Sequence, residues 1–358
     1  MLISTNKNLH PYNNTSVNYW LFGLLFLLLF MILIGGLTRL TDSGLSITNW
    51  EPILGAIPPL TNSDWILSFQ QYKLTNEFKL QNFQMSISDF KVIYWWEWGH
   101  RQFGRIIGLF WFFGFLYFLI STKLPIFFKI SFFVLGFLGL TQAFIGWWMV
   151  QSGLNNEKNL LDVASYRLAI HLNLALIIVS FIFLLIKINN HWFQKISLLT
   201  FFSNFSIEKF LIGLFIIFVF CQITLGAFVS GIDAGKSYNE WPLMNNNFVP
   251  EDYLSLEPYY QNFLENPATV QFNHRIMGYF IFVFSVFIWI KHRLNPDQNQ
   301  TIKKDYNILI LLVFTQVFVG IFAVIYAVPI SLGVIHQLSA VFLLLAGINL
   351  WFNLFLYK

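Results

Sequence analysis

The sequence predicts an all-α integral membrane protein whose eight transmembrane helices form two tandem four-helix bundles, related by a pseudo-twofold axis along the membrane normal. Its composition, the length of its apolar runs and a duplicated set of motifs predict this fold class. Of 358 residues, 56% are hydrophobic and 11% are charged, whereas soluble domains average about 25% charged residues. The net charge of +4 is spread thinly between apolar runs, which indicates a lipid bilayer as partner and no nucleic acid. The only cysteine, Cys221, lies in an apolar run, which excludes disulfide and CxxC chemistry.

Eight apolar runs are long enough to cross a membrane, which takes about 20 residues of helix. The first run follows a polar start and is too long for the core of a signal peptide, so we interpret it as the first span. The runs fall at about 19–38, 95–120, 130–150, 168–187, 209–230, 271–290, 307–328 and 332–355.

The distribution of basic residues predicts the orientation in the membrane. With eight spans, both termini share one side with the connections 121–129, 188–208 and 291–306, where lysines are frequent and acids are few. By the positive-inside rule, this side and both termini are cytoplasmic. The outer side holds the long connections 39–94 and 231–270. Five of the six arginines lie towards the outer side and predict an anionic ligand there: Arg39, Arg101, Arg105, Arg167 and Arg275.

Four motifs occur twice in the same order, which predicts an N-terminal half at 1–190 and a C-terminal half at 191–358. Each half has four spans, an even number, so both insert the same way up, and each is expected to be a four-helix bundle. The motif pairs begin at Asp42 and Asp233 (Asp-x-Gly-x-Ser-x3-Trp), His100 and His274 (His-Arg-x-x-Gly), Thr141 and Thr315 (Thr-Gln-x-Phe-x-Gly), and Ile170 and Ile335 (Ile-His).

Four of the seven histidines lie in spans, each in the first turns of an even-numbered helix at its outer end. Each half therefore brings two imidazoles to a similar depth: His100 with His171, and His274 with His336. Two neutral imidazoles on opposite sides are suitable axial ligands for heme iron, and bundle cores are common places for such sites. The glycines one turn later in the His-Arg motifs are expected to admit the edge of the porphyrin. The alternative is that each histidine only forms a hydrogen bond with a neighbouring helix.

Glu97 makes the two halves unequal. Its counterpart, one turn before His274, is Gln271, which cannot exchange a proton as a carboxylate can. This difference predicts a reactive site in the N-terminal half and an electron-relay heme in the C-terminal half. Alternatively, Glu97 pairs with Arg101 or Arg105 as a structural clamp, since Arg101 is four residues along on the same helical face, and the two roles are compatible. The Asp-x-Gly-x-Ser loops are predicted to fold a segment over each pocket.

The residues from Gly35 to Trp50, together with Glu97-Trp-Gly-His100-Arg101, Phe272-Asn-His274-Arg275 and Ile335-His336-Gln337, closely resemble the heme A synthase family. The resemblance covers nearly the whole chain. It is closest to the alphaproteobacterial and mitochondrial branch, because the first outer loop lacks the cysteine pair found in another branch.

The resemblance implies an enzyme that oxidises the C8 methyl of heme o to the formyl of heme a for cytochrome oxidase assembly, with water as the oxygen source. It also implies heme b as cofactor, with His274 and His336 as ligands of its iron. His100 and His171 would ligate the iron of the substrate heme and form the catalytic site with Glu97. Arg101 and Arg275 are predicted to bind the heme propionates. Heme o synthase is expected as a partner, the electron acceptor is unknown, and a homo-oligomer is left open.

Two other functions compete with this one. A diheme b-type membrane cytochrome that relays electrons from quinol would explain the four histidines, but not the acid in only one pocket. A transporter with a broken-helix substrate site would need interrupted spans and polar residues at the membrane midplane. The polar residues here cluster instead at the outer ends of the helices.

Overall fold

A computed structural model describes residues 15–121, 124–155, 161–191, 206–294 and 299–356. Within these ranges, eight helices are long and apolar enough to cross a membrane, which confirms the predicted number. The spanning helices are α1 (Thr15–Leu40), α2 (Ile87–Ile120), α3 (Ile126–Leu154), α4 (Ser165–Asn190), α5 (Ile207–Gly231), α6 (Pro267–Arg293), α7 (Gln300–Ile325) and α8 (Ile330–Leu356).

Helix α2 begins at Ile87, well before the predicted start at 95. A capping box starts it: the Ser86 hydroxyl accepts from the amide of Asp89, and the Asp89 carboxylate accepts from the amide of Ser86. The hydropathy pattern detects only the apolar part of this helix, so its polar first turns were not predicted. His100 therefore lies about four turns into its helix, whereas the other three histidines lie about two turns into theirs.

Helix α7 ends at Ile325, earlier than the predicted 328. Ala327 and Val328 both have φ of 55°, and the amide of Val328 donates to the carbonyl of Ala323, which closes the helix. Pro329 follows at once. The apolar character of this turn misled the prediction, because hydropathy does not register backbone conformation.

The helices of each half contact one another in a closed order. Helix α1 packs against α2 and α4, and α3 packs against the same two helices; α5 and α7 each pack against α6 and α8 in the same way. Between the halves, α4 contacts α5 and α1 contacts α8. These pairs are equivalent under the repeat and support the predicted bundles, while the two-domain division and the twofold axis stay predictions.

Polar contacts join the halves within the spans. Gln337 on α8 donates to the carbonyl of Ile32 on α1 (3.0 Å), where Gly36 leaves room for the glutamine. Asn173 on α4 donates to the hydroxyl of Thr224 on α5 (2.9 Å). In an apolar setting such contacts hold two helices in one register.

The first outer connection contains two short helices, Asn62–Tyr72 and Asn76–Leu80. Trp65, Phe69 and Tyr72 of this connection pack against Phe90 and Tyr94 in the early turns of α2. We call this group of five side chains the aromatic cap. It fastens the loop to the part of α2 that precedes the histidine.

The cytoplasmic prediction for the N-terminus rests on residues outside the described part of the chain. Three of the lysines that support the cytoplasmic prediction also lie outside the described residues: Lys123, Lys195 and Lys358. At that predicted end, the ammonium of Lys187 donates to the amide oxygens of Asn349 and Asn353. These contacts tie α4 to α8.

Candidate functional site

His274 and His336 form a ring pair in the C-terminal half, and His100 and His171 in the N-terminal half are close enough to interact electrostatically. All four residues are half-buried. In the C-terminal half, the ring centres of His274 on α6 and His336 on α8 are 6.3 Å apart, with planes inclined by 74°. A metal–imidazole bond of about 2.0–2.1 Å, with about 1.1 Å from nitrogen to ring centre, puts two rings that share one metal about 6.2–6.4 Å apart. The observed distance therefore fits two axial ligands on one iron.

Each of the four span histidines faces a glycine on a neighbouring odd-numbered helix. A Cβ added at these glycines would lie 2.8–3.1 Å from the Cε1 atom of the facing imidazole. No side chain other than hydrogen leaves the ring that room, so the glycines set where each imidazole sits. The facing pairs are Gly35 with His100, Gly146 with His171, Gly226 with His274, and Gly320 with His336.

Glutamines hold three of the four histidines. Gln142 donates to the carbonyl of His171 at 3.0 Å and lies 3.2 Å from its Nδ1. Gln316 holds His336 in the same way, at 3.1 Å and 3.2 Å. His274 is held by Gln222, whose amide lies 3.0 Å from the carbonyl and 3.3 Å from Nε2.

His100 has no such glutamine. Gln222 approaches Gly278, one turn after His274, and the side chain that approaches the equivalent Gly104 is Met31. The Nδ1 atoms of His100 and His274 are both buried without a hydrogen-bond partner among the described residues, so these two imidazoles differ in the glutamine contact alone. A thioether is a weak acceptor and cannot donate. The N-terminal pocket thus holds one of its two imidazoles less firmly than the C-terminal pocket does.

Glu97 is 3% exposed and is surrounded by donors. Its Oε2 accepts from the hydroxyl of Ser46 at 2.7 Å and from the amide of Ile47 at 2.8 Å, and its Oε1 pairs with Arg101. An environment made only of donors matches an ionised carboxylate, which has acceptors alone. The predicted Arg101 clamp is therefore present, and the loop of the Asp-x-Gly-x-Ser motif does fold over Glu97.

The counterpart Gln271 has the opposite environment. Its amide nitrogen donates to the carbonyls of Ala234 (3.0 Å) and Tyr238 (3.2 Å), and its oxygen accepts from Arg275. The same loop therefore offers donors to Glu97 in one half and acceptors to Gln271 in the other. Each half has matched its loop to the side chain it carries, which makes the difference between them a built feature.

The two arginines of the His-Arg motifs bind the outer loops. Arg101 donates to the carbonyl of Ile47 at 3.0 Å, and Arg275 donates to those of Tyr238 (2.8 Å) and Leu243 (3.1 Å). The Nε of Arg275 is buried without a partner in the described part of the chain, and so is one terminal nitrogen of Arg105. These donors leave capacity for an anion, and propionate binding by Arg101 and Arg275 stays a prediction.

Arg39 lies at the outer end of α1 and joins the halves. It pairs with Asp42 (2.7 Å), with Asp162 in the α3–α4 link (3.4 Å) and with Asp233 after α5 (3.4 Å), and it donates to the carbonyl of Ser230 (2.7 Å). Burial, only partly offset by Arg39, raises the pKa of Asp162. Both terminal nitrogens of Arg39 are therefore occupied by groups of the protein, while its buried Nε has no hydrogen-bond partner among the described residues.

An apolar cleft of about 320 Å³ lies between α1 and α2, beside the N-terminal pocket. It contains Gly99, the neighbour of His100, but none of the four histidines. A cleft with this apolar lining suits a hydrocarbon chain better than it suits a porphyrin with its charged propionates. Its lining residues are Phe30, Leu33, Ile34, Leu37, Trp95, Trp96 and Gly99.

The sequence predicted the histidines, Glu97 and the contacts of Glu97, but not the glutamines and glycines that support the histidines. Gln142 and Gly146 stand four apart in the repeated Thr-Gln-x-Phe-x-Gly motif, so they share a helical face. That spacing was the available signal for the glutamine and glycine that support His171, and for those that support His336. Gln222 and Gly226 repeat it on α5 without belonging to any duplicated motif.

Comparisons with known proteins cover most of the chain. The family model described as cytochrome oxidase assembly protein, COX15-CtaA, matches residues 18–348. A heme A synthase of Roseobacter denitrificans is 42% identical, over 93% of this chain and 86% of the relative. The one from Maricaulis maris is also 42% identical (94% and 96%), and the one from Bartonella tribocorum is 38% identical (95% and 92%).

Proposed function

The chain belongs to the COX15-CtaA family of cytochrome oxidase assembly proteins, and from this premise we propose that it is a heme A synthase, as its relatives are named. It oxidises the C8 methyl group of heme o to the formyl group of heme a. The product then serves cytochrome oxidase assembly.

The observation that carries the division of labour is the unequal pair of pockets. The C-terminal pocket has two imidazoles at the spacing that one iron requires, each fixed by a glutamine and a glycine. The N-terminal pocket has the acid, Glu97, and leaves His100 without a glutamine. A cofactor that stays bound suits the C-terminal pocket, where both imidazoles are held firmly. A substrate that must leave as product suits the N-terminal pocket, where His100 is held less firmly.

His274 and His336 therefore hold heme b, which supplies one-electron transfer when bound. Gln222 and Gln316 keep the two rings oriented. Gly226 and Gly320 let the rings approach their neighbouring helices. His100 and His171 hold the iron of heme o, and Arg101 and Arg275 bind the propionates.

Conversion of a methyl group and one water into a formyl group releases four electrons and four protons, by way of an alcohol. Glu97 is the group beside this pocket that can accept a proton, and its negative charge also favours positive charge that develops on the reacting carbon. Arg101, Ser46 and the amide of Ile47 hold the carboxylate in position. The electrons pass to an acceptor outside the chain.

The protein lies in the inner membrane with its termini in the cytoplasm and both pockets towards the outer face. Heme o reaches it from heme o synthase, whose product is the substrate. The cleft between α1 and α2 has the apolar lining that the hydrocarbon tail of heme o would need.

Replacement of Glu97 by glutamine tests the proposal. Cells that make heme o and express E97Q are expected to lose heme a while the purified protein keeps its heme b, measured by pigment extraction and pyridine hemochrome spectra. The matched control is E51Q, an exposed acid of the same outer connection, which should form heme a normally. Normal heme a formation by E97Q would contradict the catalytic role, and a wild-type protein that makes no heme a would favour the diheme cytochrome.

A further inference from the structure

A second acid is buried in the outer connection over the N-terminal pocket. Glu77 lies in the short helix Asn76–Leu80 and is 4% exposed. Its Oε2 is buried and has no hydrogen-bond partner among the described residues, and the amide nitrogen of the neighbouring Asn76 is in the same state. An acid buried without full pairing is costly. Glu77 stands in the first turn of its short helix, and no ion pair among the described residues neutralises its charge.

Glu77 interacts electrostatically with acids from three other elements. They are Asp162 in the α3–α4 link, Glu97 on α2 and Asp42 after α1. Asp162 and Asp42 both pair with Arg39, and Glu97 pairs with Arg101. The backbone links Glu77 and Glu97 to the same cluster: Ile47, whose amide donates to Glu97, packs against the aromatic cap, and so does Phe78, the neighbour of Glu77. Glu77 and Glu97 thus lie on the same cluster of the outer connection.

The aromatic cap provides the polar group beside it. The Tyr72 hydroxyl interacts with the Glu77 carboxyl and accepts from the amide of Asn82 at 2.8 Å. Burial, followed by the charges of Asp162, Glu97 and Asp42, raises the pKa of Glu77 to about 8. A group with a pKa near the operating pH gains and loses a proton easily, which is the property required of a proton carrier.

We propose that Glu77 is the next proton carrier after Glu97 and passes protons from the oxidation site to the outer aqueous phase. This inference rests on the proposed function. In each transfer the O–H bond on Glu97 breaks and one forms on Glu77, which returns Glu97 to its ionised form. Glu77 then releases the proton towards Asp42 and Asp162 at the surface. The electrons of the oxidation take the separate route to the acceptor.

The test measures the rate of heme a formation by the full-length protein from about pH 6 to about pH 9, a range that spans the titration of such a group. The wild-type rate is expected to rise through an inflection near the pKa of Glu77. E77Q should be at least about tenfold slower and lose that inflection. Imidazole in the buffer should restore part of its rate. E77D should keep an inflection, E51Q should behave as wild type, and all variants should retain heme b.

A purely structural role would predict something else: a lower rate with an unchanged pH profile and no rescue by imidazole. That result, or a wild-type rate in E77Q, would overturn the proposal. If E77Q does not retain heme b, E77D decides by the same profile.

A second measurement needs no turnover. Infrared difference spectra of the protein between about pH 6 and about pH 9 should show a carboxyl band that is absent from E77Q. A missing band overturns the relay even if heme a is made. A protein with the band but without heme a would instead refute the proposed function.

Discussion

Replacing Gly320 by alanine should dislodge heme b. The new Cβ would lie 2.8 Å from Cε1 and 3.4 Å from Nδ1 of His336, whereas carbon atoms in contact prefer about 3.5–4.0 Å. The imidazole must therefore retreat by about 0.7 Å, which moves its nitrogen out of line with His274. Gln316 holds the same residue at its backbone carbonyl and resists the movement.

Overpacking of this kind costs about 1–3 kcal/mol. At about 1.4 kcal/mol for each factor of ten, heme b should bind about 5- to 150-fold more weakly. The assay is the ratio of heme b to protein after purification and stepwise dilution, read from the hemochrome spectrum. G139A is the matched control, because a Cβ at Gly139 meets nothing within 4 Å.

The N-terminal half offers the mirror experiment. In G146A the added Cβ would lie 2.9 Å from Cε1 of His171. This variant should lose heme a formation and keep heme b, whereas G320A should lose heme b first. Full heme b in G320A, or equal loss of heme b in both variants, would refute the reasoning that these glycines position separate iron ligands.

Three further outcomes follow from other contacts. Q222M removes the donor to His274 and should weaken heme b binding about 2- to 10-fold, since a hydrogen bond contributes about 0.5–1.5 kcal/mol; unchanged retention on dilution would count against a holding role. M31Q gives the N-terminal pocket the glutamine it lacks, so purified protein should carry more bound heme and turn over more slowly, as hemochrome spectra and heme a yield would show. The pKa of Glu77 is about 8 in the folded protein, against an ordinary value of 4.5 in an unfolded chain. Between these two pH values the folded state therefore binds more protons than the unfolded state, so the melting temperature should fall as pH rises. E77Q should flatten that slope in differential scanning fluorimetry, and an equal slope in both proteins would show that another group causes it.

Hydropathy and the repeat predicted the eight spans and placed the histidines in pairs, because both depend on residue type and spacing. The start of α2 was missed because a capping box, not hydrophobicity, begins that helix. Glu77 was missed for a related reason. Its burial results from the aromatic packing of Tyr72 and its neighbours in the loop, and no spacing rule in a connection reports such packing. The glutamine supports lay in a motif already noticed, but which histidine each would hold depended on how neighbouring helices face one another.

The early start of α2 has a mechanical consequence. One unbroken helix carries the aromatic cap on its first turns and His100 farther along. Because α2 is continuous, a movement of the outer loop would be transmitted along the helix to His100. Lifting the loop would therefore tilt or rotate the imidazole. A porphyrin that enters from the aqueous side would therefore disturb His100, the residue that we propose binds its iron. A lateral approach from the lipid, past α1, would leave α2 and the aromatic cap in place.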